Sequence, residues 1–172
     1  MTYSNRQLFE ALAELQILDA EKLKASLAEA ESKKADLGEI LLENDLITDV
    51  NLGKVISDMA GVPLVRLDQV SIQPDMLLIV PEVVARNQMA MAFGQDQQGT
   101  KLAMLDPKNT EFIKQVEKKT GGTVRVYIAT RRDLDMALAY YKKDLQKSFD
   151  ELISEQVTKA GKGGQDEVPA TE

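Results

Sequence analysis

Hydrophobic positions in the first third of the chain follow a helical pattern, and the pattern then repeats. Leu8, Leu12 and Leu15 stand at i, i+4 and i+7, the stripe of an amphipathic helix. Ser4 is placed to cap that helix, with Gln7 at capping-box spacing. Asp19 caps a second helix whose Leu23 and Leu27 face inward. A shift of 29 residues sets Leu8 on Leu37, Leu12 on Leu41, Ile17 on Leu46, Leu18 on Ile47, Leu23 on Leu52 and Leu27 on Ile56. In the second unit Leu37, Leu41 and Leu42 make the first stripe. Thr48 caps the next helix, which turns Leu52, Val55, Ile56 and Met59 inward and stops at Gly61. Residues 1–62 therefore read as two stacked helical hairpins.

Beyond Gly61-Val62-Pro63 the period changes. Pro74 and Pro81 suit the first positions of short helices, expected over 74–79 and 82–87. Met89, Met91 and Phe93 alternate with Ala90 and Ala92, and Leu102 and Met104 flank Ala103. Two strands follow from this, joined by a polar turn from Gly94 to Gly99. A helix over 110–119 buries Phe112, Ile113 and Val116 before Gly121-Gly122, and Val124, Val126 and Ile128 make a third strand with Arg125 and Tyr127 on its other face. Thr130 and Asp133 form a capping pair for a long helix carrying Leu134, Leu138, Tyr141, Leu145, Phe149 and Leu152. As one helix, residues 131–159 would run about 43 Å. Its far half can dock on another domain or chain, or fray into solvent; the pattern leaves both open. The fold class is α+β: a helical repeat module (1–62), a small α/β module with three strands (63–141), a helix extension (142–160) and a polar, disordered linker or tail (161–172).

Charge sharpens this division. The chain has 172 residues, and its net charge is −7. Residues 1–62 contribute −6 of it, so the helical module is the acidic part. An acidic chain with 5% aromatic residues and no Trp is not built to hold nucleic acid. The absence of Cys and His removes disulfides, thiol and imidazole catalysis, and His- or Cys-ligated zinc. The longest apolar stretch, Met76 to Val80, is too short to insert in a membrane, and the start of the chain lacks a signal-peptide pattern, so a cytoplasmic protein is expected.

No catalytic constellation emerges. The nearest approach to a phosphate-binding loop is Gly94-Gln95-Asp96-Gln97-Gln98-Gly99-Thr100-Lys101, where Thr and Lys stand in the wrong order and a strand follows. The carboxylate pairs Asp133/Asp135 and Asp49/Asp58 read as helix starts and solvated faces, and no metal-binding loop is present. Arg131-Arg132, at a helix N-terminus, reads as a solvated pair or as a partner or anion contact.

Four segments carry a family resemblance: Asp36-Leu37-Gly38-Glu39-Ile40-Leu41-Leu42-Glu43-Asn44-Asp45-Leu46-Ile47-Thr48, Met59-Ala60-Gly61-Val62-Pro63-Leu64-Val65, Ile79-Val80-Pro81-Glu82-Val83-Val84-Ala85, and Lys101-Leu102-Ala103-Met104-Leu105-Asp106-Pro107. In order and spacing they resemble the N-terminal region of type IV pilus assembly and type II secretion ATPases, an MshEN-like helical module followed by an α/β module, over roughly Asn5 to Tyr141. The resemblance implies a region with no catalytic residues and no cofactor of its own, cut before an ATPase core that would supply ATP and Mg chemistry. It implies docking to that core and to inner-membrane platform or cytoplasmic assembly proteins, at the membrane only through partners. Leu145, Phe149, Leu152, Arg131 and Arg132 are the candidate contacts.

Some members of the family bind cyclic di-GMP through a tandem repeat with an Arg-Leu-Gly start, a second Gly and a terminal Gln. The matching positions here are Gln7 and Asp36 for Arg, Phe9 and Gly38 for the first Gly, Gln16 and Asp45 for the second, and Ala30 and Met59 for Gln. Only Gly38 and the Leu framework remain. The candidate surface is Leu37, Gly38, Leu41, Leu42, Leu46, Leu52 and Ile56, and an acidic residue in place of Arg disfavours a ligand with two phosphates. The alternatives to a motor docking region are thus a cyclic di-GMP sensor and a stand-alone adaptor.

Overall fold

The computed structural model describes residues 3–161, with side chains through residue 158. The chain divides into two compact units, Met1–Leu138 and Ala139–Glu172.

The first unit opens with four helices: α1 (Asn5–Leu15), α2 (Ala20–Lys33), α3 (Leu37–Glu43) and α4 (Asp49–Ala60). Their starts are fixed locally. Ser4 and Gln7 close a reciprocal capping box, Asp19 caps α2, and Thr48 caps α4. Asp36 caps α3 by accepting from the Glu39 amide at 3.1 Å. The repeat pairs Leu8/Leu37, Leu12/Leu41 and Leu23/Leu52 are all buried in one core with Ala30, Ile40, Ile47 and Val55. Two positions differ from the sequence reading. Leu15 is 51% exposed, because α1 ends there and the chain turns away at Gln16 with φ 51°. Met59, in the last turn of α4, is 37% exposed rather than inward. Asn5 braces the two halves of the repeat: its side chain donates to the Ala35 carbonyl and accepts from the Leu37 amide, both at 2.8 Å.

After Gly61 the chain bridges to a sheet. The Val65 amide donates to the Ile128 carbonyl, and the Ile128 amide donates to the Pro63 carbonyl, each at 2.8 Å. The link read as a boundary is thus hydrogen-bonded to a sheet edge. A 3-10 turn at Leu67–Gln69 leads to α5 (Pro74–Ile79) and α6 (Glu82–Gln88). The sheet has the order β1 (Ala90–Asp96), β2 (Gly99–Met104), β3 (Val124–Ile128). β1 pairs antiparallel with β2, and β2 pairs parallel with β3. A parallel pair needs a crossover, and α7 (Thr110–Thr120) supplies it. The β1–β2 turn is tighter than expected: the strands run on to Asp96 and from Gly99, leaving Gln97-Gln98 as the connection. A bulge between Ala92 and Gly94 takes up the irregularity at Phe93. Phe93 meets Tyr127 edge to face, ring centroids 5.2 Å apart. α5 and α6 pack on β1, and α7 packs on β3.

The expected single long helix is two. α8 (Arg131–Ala137) ends at Leu138, whose amide donates to the Leu134 and Met136 carbonyls, and α9 (Ala139–Gly161) follows. An apolar stripe reads through such a break because the interruption is a single residue of right-handed helical conformation, φ −61° and ψ −19°. α9 continues past Lys159. The tail expected over 161–172 lies outside the described residues, apart from Gly161 at the helix end.

Candidate functional site

Within the first unit, α3 and α4 face the end of β3 and the start of α8 across a cavity of about 240 Å³. Close approach is required there. A Cβ on Gly53 would lie 2.9 Å from Thr130 Cγ2 and 3.1 Å from Leu64 Cδ1, so only glycine lets α4 sit against the sheet module. A Cβ on Gly38 would lie 2.8 Å from Asp36 Oδ1, 3.0 Å from the Tyr3 hydroxyl and 3.1 Å from Leu52 Cδ2. The apolar floor comes from Leu42, Leu52 and Ile56, with Leu105 across from them.

The polar lining is mostly acidic: Asp36, Glu39, Asp49 and Asp106, with Arg131 as the cation among the described residues. The Thr130 hydroxyl donates to Asp49 Oδ2 at 2.6 Å, joining the start of α8 to the start of α4. Arg131 Nε lies 3.6 Å from Glu39 Oε1, with both side chains about half exposed. Asp36 is 7% exposed. Its Oδ1 accepts from the Glu39 amide and, at 3.4 Å, from the Tyr3 hydroxyl, while its Oδ2 has no hydrogen-bond partner among the described residues. Burial first, then the adjacent Asp36 charge, pushes the Tyr3 hydroxyl well above the ordinary tyrosine range. The tyrosine therefore stays a donor to the carboxylate.

A second buried carboxylate, on α8 just after Thr130 and Arg131, serves the fold. Asp133 is 8% exposed, and its Oδ2 accepts from the Leu67 amide at 3.2 Å. Burial raises its pKa above the usual carboxylate value; the Leu67 bond opposes this, and the charges of Asp68 and Asp49 add to the rise. It is not part of a solvated face. The Asp133 amide donates to Thr130 Oγ1 as the capping pair predicts, but its carboxylate reaches across 66 residues of chain instead of back to the cap.

Of the seven residues expected to form a ligand surface, Gly38, Leu42, Leu52 and Ile56 line the cavity. Leu37 and Leu41 are fully buried in the helical core, and Leu46 is half-buried outside the cavity lining. Arg131 is at the rim, and Arg132 is exposed on the same helix. Leu145, Phe149 and Leu152 lie on α9, all at least 60% exposed. Sequence reasoning missed Tyr3, Asp49, Asp106 and Thr130 as cavity residues, because the loop after β2, the end of β3 and the helical module meet only through tertiary packing. One signal was available: Asp36 and Glu39 have capping-box spacing, which marks Asp36 as a helix start.

Among the described residues no group of three or more His, Cys, Asp or Glu side chains is placed to hold a metal ion. No helix among them is long and apolar enough to cross a membrane.

The model of the MshEN domain family matches residues 60–147, from the last residue of α4 through the three-stranded α/β module into α9; this is just over half of the chain, and the chain belongs to that family. It is similar, at 29% identity over 147 residues, to the type IV pilus assembly ATPase PilB of Thermus thermophilus, an alignment covering 84% of this chain and 16% of that protein. It is similar at 22% identity over 149 residues to PilB of Myxococcus xanthus, covering 87% of this chain and 26% of that protein. The chain thus spans no more than about a quarter of the curated relatives it matches. A solved structure of MshE with cdg shares the fold at a TM-score of 0.63 and 21% identity, over 78% of this chain and 97% of that one. The N-terminal domain of XpsE shares it at a TM-score of 0.53 and 17% identity, over 80% and 96%. The resemblance to pilus assembly ATPases is therefore a relationship of sequence, and the fold is shared with MshE and with the N-terminal domain of XpsE.

Proposed function

We propose that this chain is a docking region of a type IV pilus assembly or type II secretion motor, joining an ATPase core to cytoplasmic or inner-membrane assembly proteins. The observation that carries this reading is the apolar face of α9. Leu145, Phe149, Leu152, Ile153 and Val157 recur at helical spacing between positions 145 and 157 of the 23-residue α9, with exposures from 46% at Ile153 to 66% at Val157. Contiguous exposed apolar surface of this kind marks an interaction site. The similarity to PilB supplies the kind of machine. Localisation in the cytoplasm, at the membrane only through partners, follows from the same reading.

The test is binding of the cytoplasmic domains of the platform proteins to the full chain and to Phe149→Glu. A charge in the centre of the stripe should weaken binding by at least about tenfold while leaving the melting of the first unit unchanged. Binding that survives this change undiminished would sink the proposal.

A second reading, cyclic di-GMP sensing, is favoured by one observation: four residues of the expected surface share one cavity, in a fold shared with the MshE structure that contains cdg. Against it, four carboxylates and one guanidinium line that cavity among the described residues. Calorimetric titration with cyclic di-GMP decides: heat that disappears in Gly38→Arg supports sensing, and no heat at high ligand concentration ends it.

A further inference from the structure

We propose that the cavity between α3, α4 and the start of α8 is a receptor for an arginine side chain carried on an exposed segment of a docking partner. The inference rests on the docking reading above and names the chemistry of one contact.

Three observations point the same way. The first is charge: among the described residues Asp36, Glu39, Asp49 and Asp106 line the cavity against a single Arg131, and Arg131 is already engaged with Glu39 at the rim. Such a lining attracts a cation and repels a phosphate. The second is the state of Asp36. Its carboxylate is more than nine-tenths buried, its residue lines the cavity, and Oδ2 lacks a donor among the described residues. A carboxylate withdrawn from water with one oxygen unpartnered is costly, and a cation entering the cavity beside it offsets that charge. The third is the floor. Leu42, Leu52 and Ile56 offer an apolar surface for the methylene stem and the face of a guanidinium. A guanidinium is planar and weakly hydrated, so it loses less on entering such a space than an ammonium does. Gly38 lets Asp36, Tyr3 and Leu52 close together at this wall of the cavity: a side chain there would meet all three within about 3 Å.

The experiment titrates the methyl-labelled full chain with acetyl-Gly-Arg-Gly-amide and follows the Leu42, Leu52 and Ile56 methyl signals by NMR. Peptides carrying lysine or citrulline in place of arginine serve as comparisons. The arginine peptide is expected to shift those three methyls saturably, with affinity in the roughly millimolar range for one side chain. Asp36→Asn keeps the cap of α3, since Asn caps as well as Asp, but removes the charge; affinity should fall by about tenfold. Asp19→Asn, at the cap of α2 and outside the cavity, should change nothing. Equal binding of the citrulline or lysine peptide overturns the assignment, as does a shift that persists in Asp36→Asn, or no saturable shift at all. Platform binding without any peptide response leaves the docking reading standing and removes this one. A peptide response without platform binding does the reverse.

Discussion

At Gly38 the chain carries a constraint that hydrophobic periodicity does not express. The position lies in the first turn of α3, where any helix former is acceptable locally. Yet Asp36, Tyr3 and Leu52 converge on it from a loop, the N-terminus and another helix. Gly38→Ala should therefore destabilise the protein by about 1–3 kcal/mol in urea denaturation, despite alanine's better helix propensity. Leu41 and Leu145 make a second contrast. Both are apolar residues on helical stripes, but Leu41 is fully buried and Leu145 is 64% exposed. Leu41→Ala should cost about 2–5 kcal/mol and Leu145→Ala less than about 0.5 kcal/mol, measured as shifts in denaturation midpoint. Asp133 gives a pH signature. Its pKa is raised in the folded state, so the folded protein holds that proton more tightly than the unfolded chain does. Its contribution is best at low pH and is lost as pH rises through the window from the unfolded to the folded pKa. Asp133→Asn can still accept from the Leu67 amide without the charge. The variant should gain stability relative to the parent chain at pH 7, and the gain should vanish as pH falls below that window. A gain that grows on acidification would contradict this assignment.

The elements differ in how far local sequence determines them. α1, α2 and α4 begin at caps that can be read from Ser4, Asp19 and Thr48 and end at left-handed residues, Gln16, Lys34 and Gly61. α5 begins on Pro74 and runs over the expected residues. The break at Leu138 left no such mark. Neither Gly nor Pro interrupts the segment, and the apolar spacing from Leu134 to Leu152 passes through it unchanged. The exposure of Leu15 and Met59 has a related cause. A stripe records which residues share a face, but how many turns of that face are covered depends on the neighbouring helices.

At the scale of the first unit, the helical and α/β modules are joined by three kinds of contact. They are the Thr130–Asp49 bond, the Arg131–Glu39 pair and the close approach of Gly53 to Thr130 and Leu64. Hydrogen bonds and close packing across a joint make two modules unfold as one. A single thermal transition is expected for residues 1–138. Gly53→Leu, which drives a side chain into Thr130 and Leu64, should split that transition into two or broaden it markedly by calorimetry. A sharp single transition in the variant would show that the joint contributes little. The acidic lining of the cavity also belongs to this scale, because Asp36, Glu39 and Asp49 come together with Asp106 only when α3 and α4 meet the sheet module.

The sequence by itself determined the helical repeat, its caps, the three strands and the family, because each rests on spacing within a few tens of residues. The tertiary structure decided which leucines form the core and which line a cavity. It placed Asp133 against Leu67, and it brought Tyr3, Asp49, Asp106 and Thr130 to one site. Those outcomes depend on contacts between residues far apart in the chain. Such pairs leave no periodic trace, since each partner satisfies its local helix, strand or loop equally well without the other.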